Sequence, residues 1–383
     1  MVSPTAFQQK SEKTPEDVKY QPLYLDTVES TSEEESKWVV VFNKVILCFS
    51  MGIALFTVLL VLQYAVEECY QNLENQKYLE MFNEFILKFD RKYDNPEELS
   101  YRFYVFRKTV EEFEEIERRN PGLDLDITQF ADWTDDELRQ YLRSTVNPPE
   151  GEMATRFSDK LFKNGESRPA SVDWRSQGKL TPIKNQGQCG SCWAFATVAA
   201  VEAQYAIKKG SLVSLSEQEM VDCDHRNNGC HGGYRPYAMN FVKKNGLEKE
   251  QEYPYTGLEG EQCHLRQNDT RVFIDDYKML SQNEDEIADW VAANGPVTFG
   301  MNVIKSMYNY RSGVFNPSEQ DCQEKSMGSH ALIIVGYGTE GTQDYWIVKN
   351  SWGTYWGDNG YFRLARGVNS CGAANTVVAP VIN

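Results

Sequence analysis

The chain has 383 residues, 41% hydrophobic and 13% aromatic, enough for a sizeable core and for more than one structural unit. Its 26 glycines and 14 prolines are near ordinary usage, which excludes a collagen-like or wholly disordered chain. A formal net charge of −17 repels phosphate backbones and excludes nucleic acid as a general partner.

Residues 1–44 are polar, charged and without helical periodicity, so they read as a disordered tail. Inside it, Tyr20-Gln21-Pro22-Leu23 resembles the Tyr-x-x-apolar sorting signal read by clathrin adaptors; a neutral linker is the alternative. From Val45 to Val66 no residue is charged, and the stretch exceeds the ~20 residues that a membrane-spanning helix needs. Its polar members, Ser50, Thr57 and Gln63, can bond to their own helix backbone. A buried soluble helix would show a polar face, and a cleaved signal peptide has a shorter apolar core nearer the chain start. The segment therefore reads as a signal-anchor helix, followed by a juxtamembrane linker over 67–77. Lys37 and Lys44 precede it, whereas the first positive residue after it is Lys77. That asymmetry predicts a cytosolic N-terminus and a type II precursor in the secretory pathway, with the remainder lumenal or extracellular.

Residues 78–144 carry charged and aromatic side chains at helical spacing, among them Phe82, Phe85, Phe89, Phe103 and Phe106, and predict a helical unit. Residues 145–167, with Pro148, Pro149 and Gly151, read as an extended, cleavable connection. The last part, 168–383, holds the chemistry.

Nine cysteines are present. Cys48 lies in the apolar span and Cys69 just beyond it. Cys189, Cys192, Cys223, Cys230, Cys263, Cys322 and Cys371 form an odd set on the side predicted to be oxidising, so pairing leaves one thiol over. Two readings compete for them. Cys189-Gly-Ser-Cys192 has the spacing of a thiol oxidoreductase, and Cys223, His225, Cys230 and His231 offer a zinc quartet, although zinc needs reduced thiolates. Asn268-Asp269-Thr270 is an acceptor for N-glycosylation on the same side.

Ala194 to Lys209 is rich in helix formers, with Lys208 and Lys209 in its last turn and Gly210 at the capping position. Cys192 thus stands at a helix N-terminus, where backbone N–H groups and the macrodipole favour a thiolate. Of the four histidines, only His330 opens an apolar β-like run, His330–Gly338. A second run, Asp344–Asn350, follows a short connection. A hairpin folded about residue 340 sets His330 opposite Asn350, whose side-chain oxygen can hold one imidazole nitrogen and leave the other for Cys192.

These residues, with the string Cys189-Gly-Ser-Cys-Trp193 and with His and Asn about 140 and 160 residues downstream of Cys192, resemble the papain family of cysteine proteases, the cathepsin group. Pro169–Trp174, Cys230-His-Gly-Gly233, Asn350-Ser-Trp-Gly353 and Trp356–Gly360 extend the likeness. It implies an α+β, two-lobed fold, a helical lobe beside an antiparallel β-barrel lobe. The resemblance gives Cys192 the role of nucleophile, His330 of acid/base and Asn350 of orienting group. Gln186 becomes the oxyanion donor and Trp352 the shield of the His–Asn bond. Gly232, Gly233, Tyr234, Arg235, Ala331 and Thr376 line the substrate groove, Thr376 at the floor of the main specificity pocket; Arg235 either admits polar or acidic side chains or points to solvent. It further implies disulfides Cys189–Cys230, Cys223–Cys263 and Cys322–Cys371, with Cys192 left free, and calls for no cofactor and no metal.

Residues 78–132 resemble the family's inhibitory prodomain. Glu98, Arg102, Val105 and Phe106 fit the start of its long-helix motif, whereas Thr109, Phe113 and Glu117 replace the usual Asn, Ile and Asn. Phe130-Ala131-Asp132 fits the next motif, although Asp126 and Thr128 replace Gly and Asn. The implied product is an endopeptidase acting on polypeptides, made as a zymogen, cut near Arg168 and active in a lysosomal or endosomal lumen or outside the cell. A catalytically silent relative that binds or scaffolds is the alternative.

Overall fold

The computed structural model describes residues 33–142, 156–158, 161–162, 166–260, 262–266 and 270–383. The Tyr20–Leu23 signal, Asn268 and most of the connection 145–167 lie outside them. The chain divides into two units, Met1–Asn75 and Gln76–Asn383.

In the first unit, helix α1 (Glu33–Lys88) carries the apolar run, which is exposed along its length. Ser50 Oγ donates to Leu47 O at 2.9 Å and Thr57 Oγ1 to Ala54 O at 2.8 Å, so these hydroxyls are satisfied inside the helix. Two expectations change. Residues 33–44, read as tail, are helical, and so is the stretch 67–77 read as a linker. Glu67, Glu68, Gln71, Leu73 and Glu74 are good helix formers, and no proline or glycine interrupts the run.

The second unit begins with the end of α1 and with α2 (Pro96–Arg119). Asn95 caps α2 by accepting from Glu98 N at 2.8 Å, and Pro96 sits where a missing N–H costs nothing. The two helices close on Phe82, Phe85, Phe106 and Ala131, with Phe89 and Phe103 packed alongside. Strand β1 (Asp124–Leu125) and helix α3 (Asp135–Tyr141) follow, the latter opened by a reciprocal capping box between Thr134 and Glu137.

Beyond β2 (Val172–Asp173), helices α4 (Cys192–Lys209), α5 (Glu217–Cys223) and α6 (Arg235–Asn245) form a helical lobe. The remainder comprises β3 (Asp276–Met279), α7 (Glu284–Ala293), β4 (Val297–Ile304), β5 (Tyr310–Ser312), β6 (Val314–Phe315), β7 (Ser326–Glu340), β8 (Gln343–Lys349), β9 (Tyr361–Ala365) and β10 (Val378–Val381). The main sheet runs β3-β10-β4-β7-β8-β9-β6, with β2 added to β7. The expected antiparallel barrel needs correction on two points. The pairing is a path with β3 and β6 at its ends, and β6 joins β9 in parallel.

Strand β7 divides two cores. Leu332 and Ile334 face one; Ala331, Ile333 and Val335 face the other, beside α4. That is the period-two alternation of a strand buried on both faces, and it accounts for the unbroken apolar run in the sequence.

Candidate active site

Helix α4 starts at Cys192 and ends at Gly210, whose φ of 75° only glycine adopts without cost. Ser191, just before it, does not cap with its side chain; its hydroxyl instead meets Tyr255 OH at 2.7 Å, and Tyr255 OH donates to Gln186 O at 2.8 Å. This chain ties the loop before α4 to the segment around Tyr255. Disulfides join Cys189 to Cys230, Cys223 to Cys263 and Cys322 to Cys371, while Cys192 is buried and outside any disulfide. The oxidoreductase reading fails because Cys189 is bonded to Cys230 and not to Cys192. The zinc quartet fails because Cys223 and Cys230 are both consumed in disulfides.

His330 and Asn350 meet: His330 Nε2 lies 2.8 Å from Asn350 Oδ1. They are not the register partners that a hairpin about residue 340 would make. The turn is Gly341-Thr342, and the ladder shifts between Ile334 and Gly336, so Ile333 pairs with Lys349 and His330 pairs with Met301 of β4. Asn350 has already left β8; its N–H donates to Gly360 O at 3.0 Å and its side chain reaches His330 from beyond the strand end. A bulge re-aims side chains in this way.

The imidazole is fully buried and stacks on Trp352 with ring centroids 4.7 Å apart. Its Nδ1 has no hydrogen-bond partner among the described residues. Burial pushes His330 down to about 4 from the usual 6.5; the Asn350 bond opposes this and the positive charge of Arg235 adds to it. Gln186 is fully buried, its Oε1 accepting from Ser351 Oγ at 2.7 Å and its Nε2 donating to Cys189 O at 3.0 Å. The amide is therefore held in one orientation, with a second Nε2 hydrogen available. Ser351 and Tyr255 are the supports that the sequence reading missed. Ser351 stands inside the Asn350–Gly353 string and was open to notice; nothing local marks Tyr255.

The residues expected along the groove are placed as follows. Gly233 packs so closely on the Trp193 ring that an added Cβ would lie 2.5 Å from it, and Trp193 Nε1 donates to Gly229 O at 3.0 Å. Gly232 has a φ of 101°, and Tyr234 N donates to Asn227 Oδ1 at 2.6 Å. Ala331 and Thr376 are buried. Arg235 does not point to solvent. Its side chain is fully buried, and Nη2 donates to Thr376 O at 3.0 Å.

The prodomain lies on this centre. Phe130 packs edge-on against Trp352 at 5.1 Å and against Tyr308 at 5.1 Å, and Gln129 Nε2 donates to Trp352 O at 2.7 Å. Thr128 Oγ1 donates to Tyr308 O at 2.8 Å, and Tyr308 OH to Leu138 O at 2.7 Å. Strand β1 pairs with β5, extending the contact through backbone bonds. Asp132 is held inside the prodomain by Arg91 at 3.1 Å and Tyr93 at 2.9 Å, and Arg102 grips Glu137 with two bonds of 2.7 Å. The departures Thr128, Phe113 and Glu117 are all used: Phe113 packs on the catalytic core and Glu117 accepts from Leu125 N at 2.8 Å.

Residues 168–381 match the family described as papain family cysteine protease, and residues 82–138 match the cathepsin propeptide inhibitor domain, I29. The chain belongs to the papain family. Cysteine proteinase 1 of Dictyostelium discoideum is 36% identical over 324 residues, covering 79% of this chain and 92% of its own. Cathepsin F of Mus musculus is 35% identical over 305 residues, 79% of this chain and 65% of the relative. Among solved structures, digestive procathepsin L2 of the Tenebrio molitor larval midgut superposes with a TM-score of 0.74 at 34% identity, over 80% of this chain and 100% of that one. The recombinant stem bromelain precursor gives 0.71 at 34%, over 80% and 99%. This papain-family protein is a cysteine endopeptidase made as a zymogen with an inhibitory propeptide.

Proposed function

We propose that Cys192 is the nucleophile, His330 the acid/base, Asn350 the group that steadies the ring, and Gln186 with the Cys192 N–H the oxyanion hole. The observation that supports this best is the His330 ring itself, bonded through Nε2 to Asn350 Oδ1 at 2.8 Å with a buried, unpartnered Nδ1 left over for the thiol. Helix α4 packs along β7, and the helix terminus favours negative charge on its first residue. His330 takes the thiol proton, and Sγ bonds to the substrate carbonyl carbon. The Gln186 Nε2 hydrogen and the Cys192 N–H hold the resulting oxyanion, each donor worth ~3–4 kcal/mol. The imidazolium returns its proton to the leaving amine as the C–N bond breaks. Water, deprotonated by His330, then attacks the thioester and frees the thiol. Trp352 keeps water from the His–Asn bond.

In the zymogen the buried imidazole is held neutral at physiological pH, so prodomain departure both clears the groove and rehydrates the ring toward its charged form. We assign residues 78–144 to the inhibitory prodomain, 145–167 to the cleavable connection and 168–383 to the catalytic domain, with Gly232, Gly233, Tyr234, Arg235, Ala331 and Thr376 along the substrate groove. The exposed apolar run of α1 supports a type II anchor over 45–66, with the peptidase on the lumenal side and released by a cut near Arg168. Lumenal placement also allows glycosylation at Asn268 and adaptor binding at Tyr20–Leu23, with a lysosomal, endosomal or secreted mature enzyme.

The test is Cys192→Ala in the acid-activated full-length chain. Hydrolysis of a peptide substrate should fall by about 10⁴-fold or more, and labelling by an epoxysuccinyl thiol-protease inhibitor should vanish. Persistent hydrolysis in that variant refutes the assignment.

A further inference from the structure

Arg235 is the first residue of α6 and directly follows the groove segment Gly232-Gly233-Tyr234. Its guanidinium does not lie along the helix surface. It is fully buried against the far lobe, where Nη2 donates to Thr376 O at 3.0 Å. Gly300 of β4 makes room for it: a Cβ there would fall 2.7 Å from Nη1 and 2.9 Å from Nη2. Gly300 pairs with Ala331, the residue after His330, so the cation lies one step from the reacting centre. Its charge is felt by both catalytic groups, since the Cys192 sulfur raises Arg235 while Arg235 lowers His330. Burial lowers Arg235 only to about 10, so it stays a cation wherever the enzyme works. A second polar group stands at the same place. The Thr376 hydroxyl is fully buried and has no hydrogen-bond partner among the described residues.

We propose that Arg235 and Thr376 form a substrate subsite selective for an acidic side chain, Asp or Glu, at one position beside the cut bond. The proposal rests on the groove assignment above and deepens it to a substrate class. The chemistry follows from the geometry. A guanidinium offers planar, forked N–H donors that match a carboxylate, and a threonine hydroxyl supplies one more donor to the same occupant. A purely structural arginine, fixed on Thr376 O, would instead leave the groove indifferent to substrate charge. Glutamate and glutamine have nearly the same shape, so their comparison isolates the charge. A charge-assisted bond in place of a neutral one corresponds to about tenfold in kcat/KM.

The experiment uses the full-length chain activated at acid pH, with active sites counted by the epoxysuccinyl inhibitor. It measures kcat/KM on a peptide library that scans Glu against Gln, and Asp against Asn, at each position flanking the cut. We expect one position to favour the acid about tenfold. Arg235→Met should collapse that ratio toward one, Arg235→Lys should keep part of it, and Gly300→Ala should lower it by displacing an intact guanidinium. A wild-type ratio near one at every position overturns the proposal, and so does a preference that survives Arg235→Met. In both cases the protein still titrates and cuts peptides, so the catalytic assignment stands. If instead the wild type neither titrates nor cuts any member, the groove assignment falls and takes this inference with it. Should Arg235→Met yield no titratable protein, the wild-type ratio and the Gly300→Ala effect decide.

Discussion

The prodomain helices close on Phe82, Phe85, Phe106 and Ala131, and charged pairs supply much of the rest: Arg91 with Asp132, Arg102 with Glu137. The catalytic unit is built on two large cores divided by β7 and is stapled by three disulfides. A unit of the smaller size buries a smaller fraction of its unfolded chain's surface than the larger one does. The contrast teaches how an inhibitor can be tight yet removable. The prodomain is tied to the surface it covers through Phe130 on Trp352 and β1 on β5, contacts that a cut and an opening can break.

The sharpest way to break the comparison is Phe130→Ala. Phe130 is buried against Trp352, Tyr308, Trp133 and Tyr141. Losing a buried phenylalanine costs about 3–5 kcal/mol. Uncut zymogen of this variant should therefore hydrolyse peptide at neutral pH, while thermal melting of the catalytic unit stays near wild type. A variant still silent before cleavage would show that the aromatic contact does not hold the prodomain down.

The next expected effect comes from His330. Burial holds its value near 4, below the usual 6.5, so an opening that hydrates the ring takes up a proton. Stability of the closed zymogen must then fall as pH drops through that window, and acid favours opening. In an NMR titration the His330 imidazole should take its proton near pH 4 in the full-length chain and at a higher pH once the prodomain is gone. The same midpoint in both forms would contradict this.

A smaller effect is expected at Glu137. Burial raises its carboxyl, but the Arg102 and Thr134 hydrogen bonds outweigh that and leave it below the usual 4.5. Its contribution is present above that value and is lost as pH falls through its lowered range. Glu137→Gln should lower prodomain stability at neutral pH by about 1 kcal/mol, because the pair is partly exposed, and should flatten the acid slope of its melting curve. Asp132 works in the other direction. Burial raises its carboxyl above 3.8, against the pull of Arg91 and Tyr93, so its protonation opposes acid opening.

Much of the catalytic unit was legible because it follows local rules. The Ala194–Lys209 helix showed its formers, its last-turn lysines and its capping glycine; β7 showed an apolar run because both its faces are buried. The odd cysteine count pointed to a leftover thiol, and the buried Cys192, outside any disulfide, is that thiol in the C-terminal part. The hairpin reading came near the right pair through the wrong register. Counting from residue 340 cannot sense a turn at Gly341-Thr342 or the shift after Ile334, both of which cost or gain energy through neighbouring strands.

By itself the sequence determined which residues are chemically capable, where helices start and stop, and that one apolar helix is long enough to cross a bilayer. Capping, periodicity and side-chain chemistry act within a few residues, so they can be read in order along the chain. Only the tertiary structure decided that Asn350 reaches His330 from outside the ladder, that Tyr255 and Ser351 hold Gln186, and that Arg235 turns inward to Thr376. Those choices depend on burial, on a register shift between neighbouring strands, and for Tyr255 and Arg235 on partners more than sixty residues away (Ser191, Thr376), which no local pattern encodes.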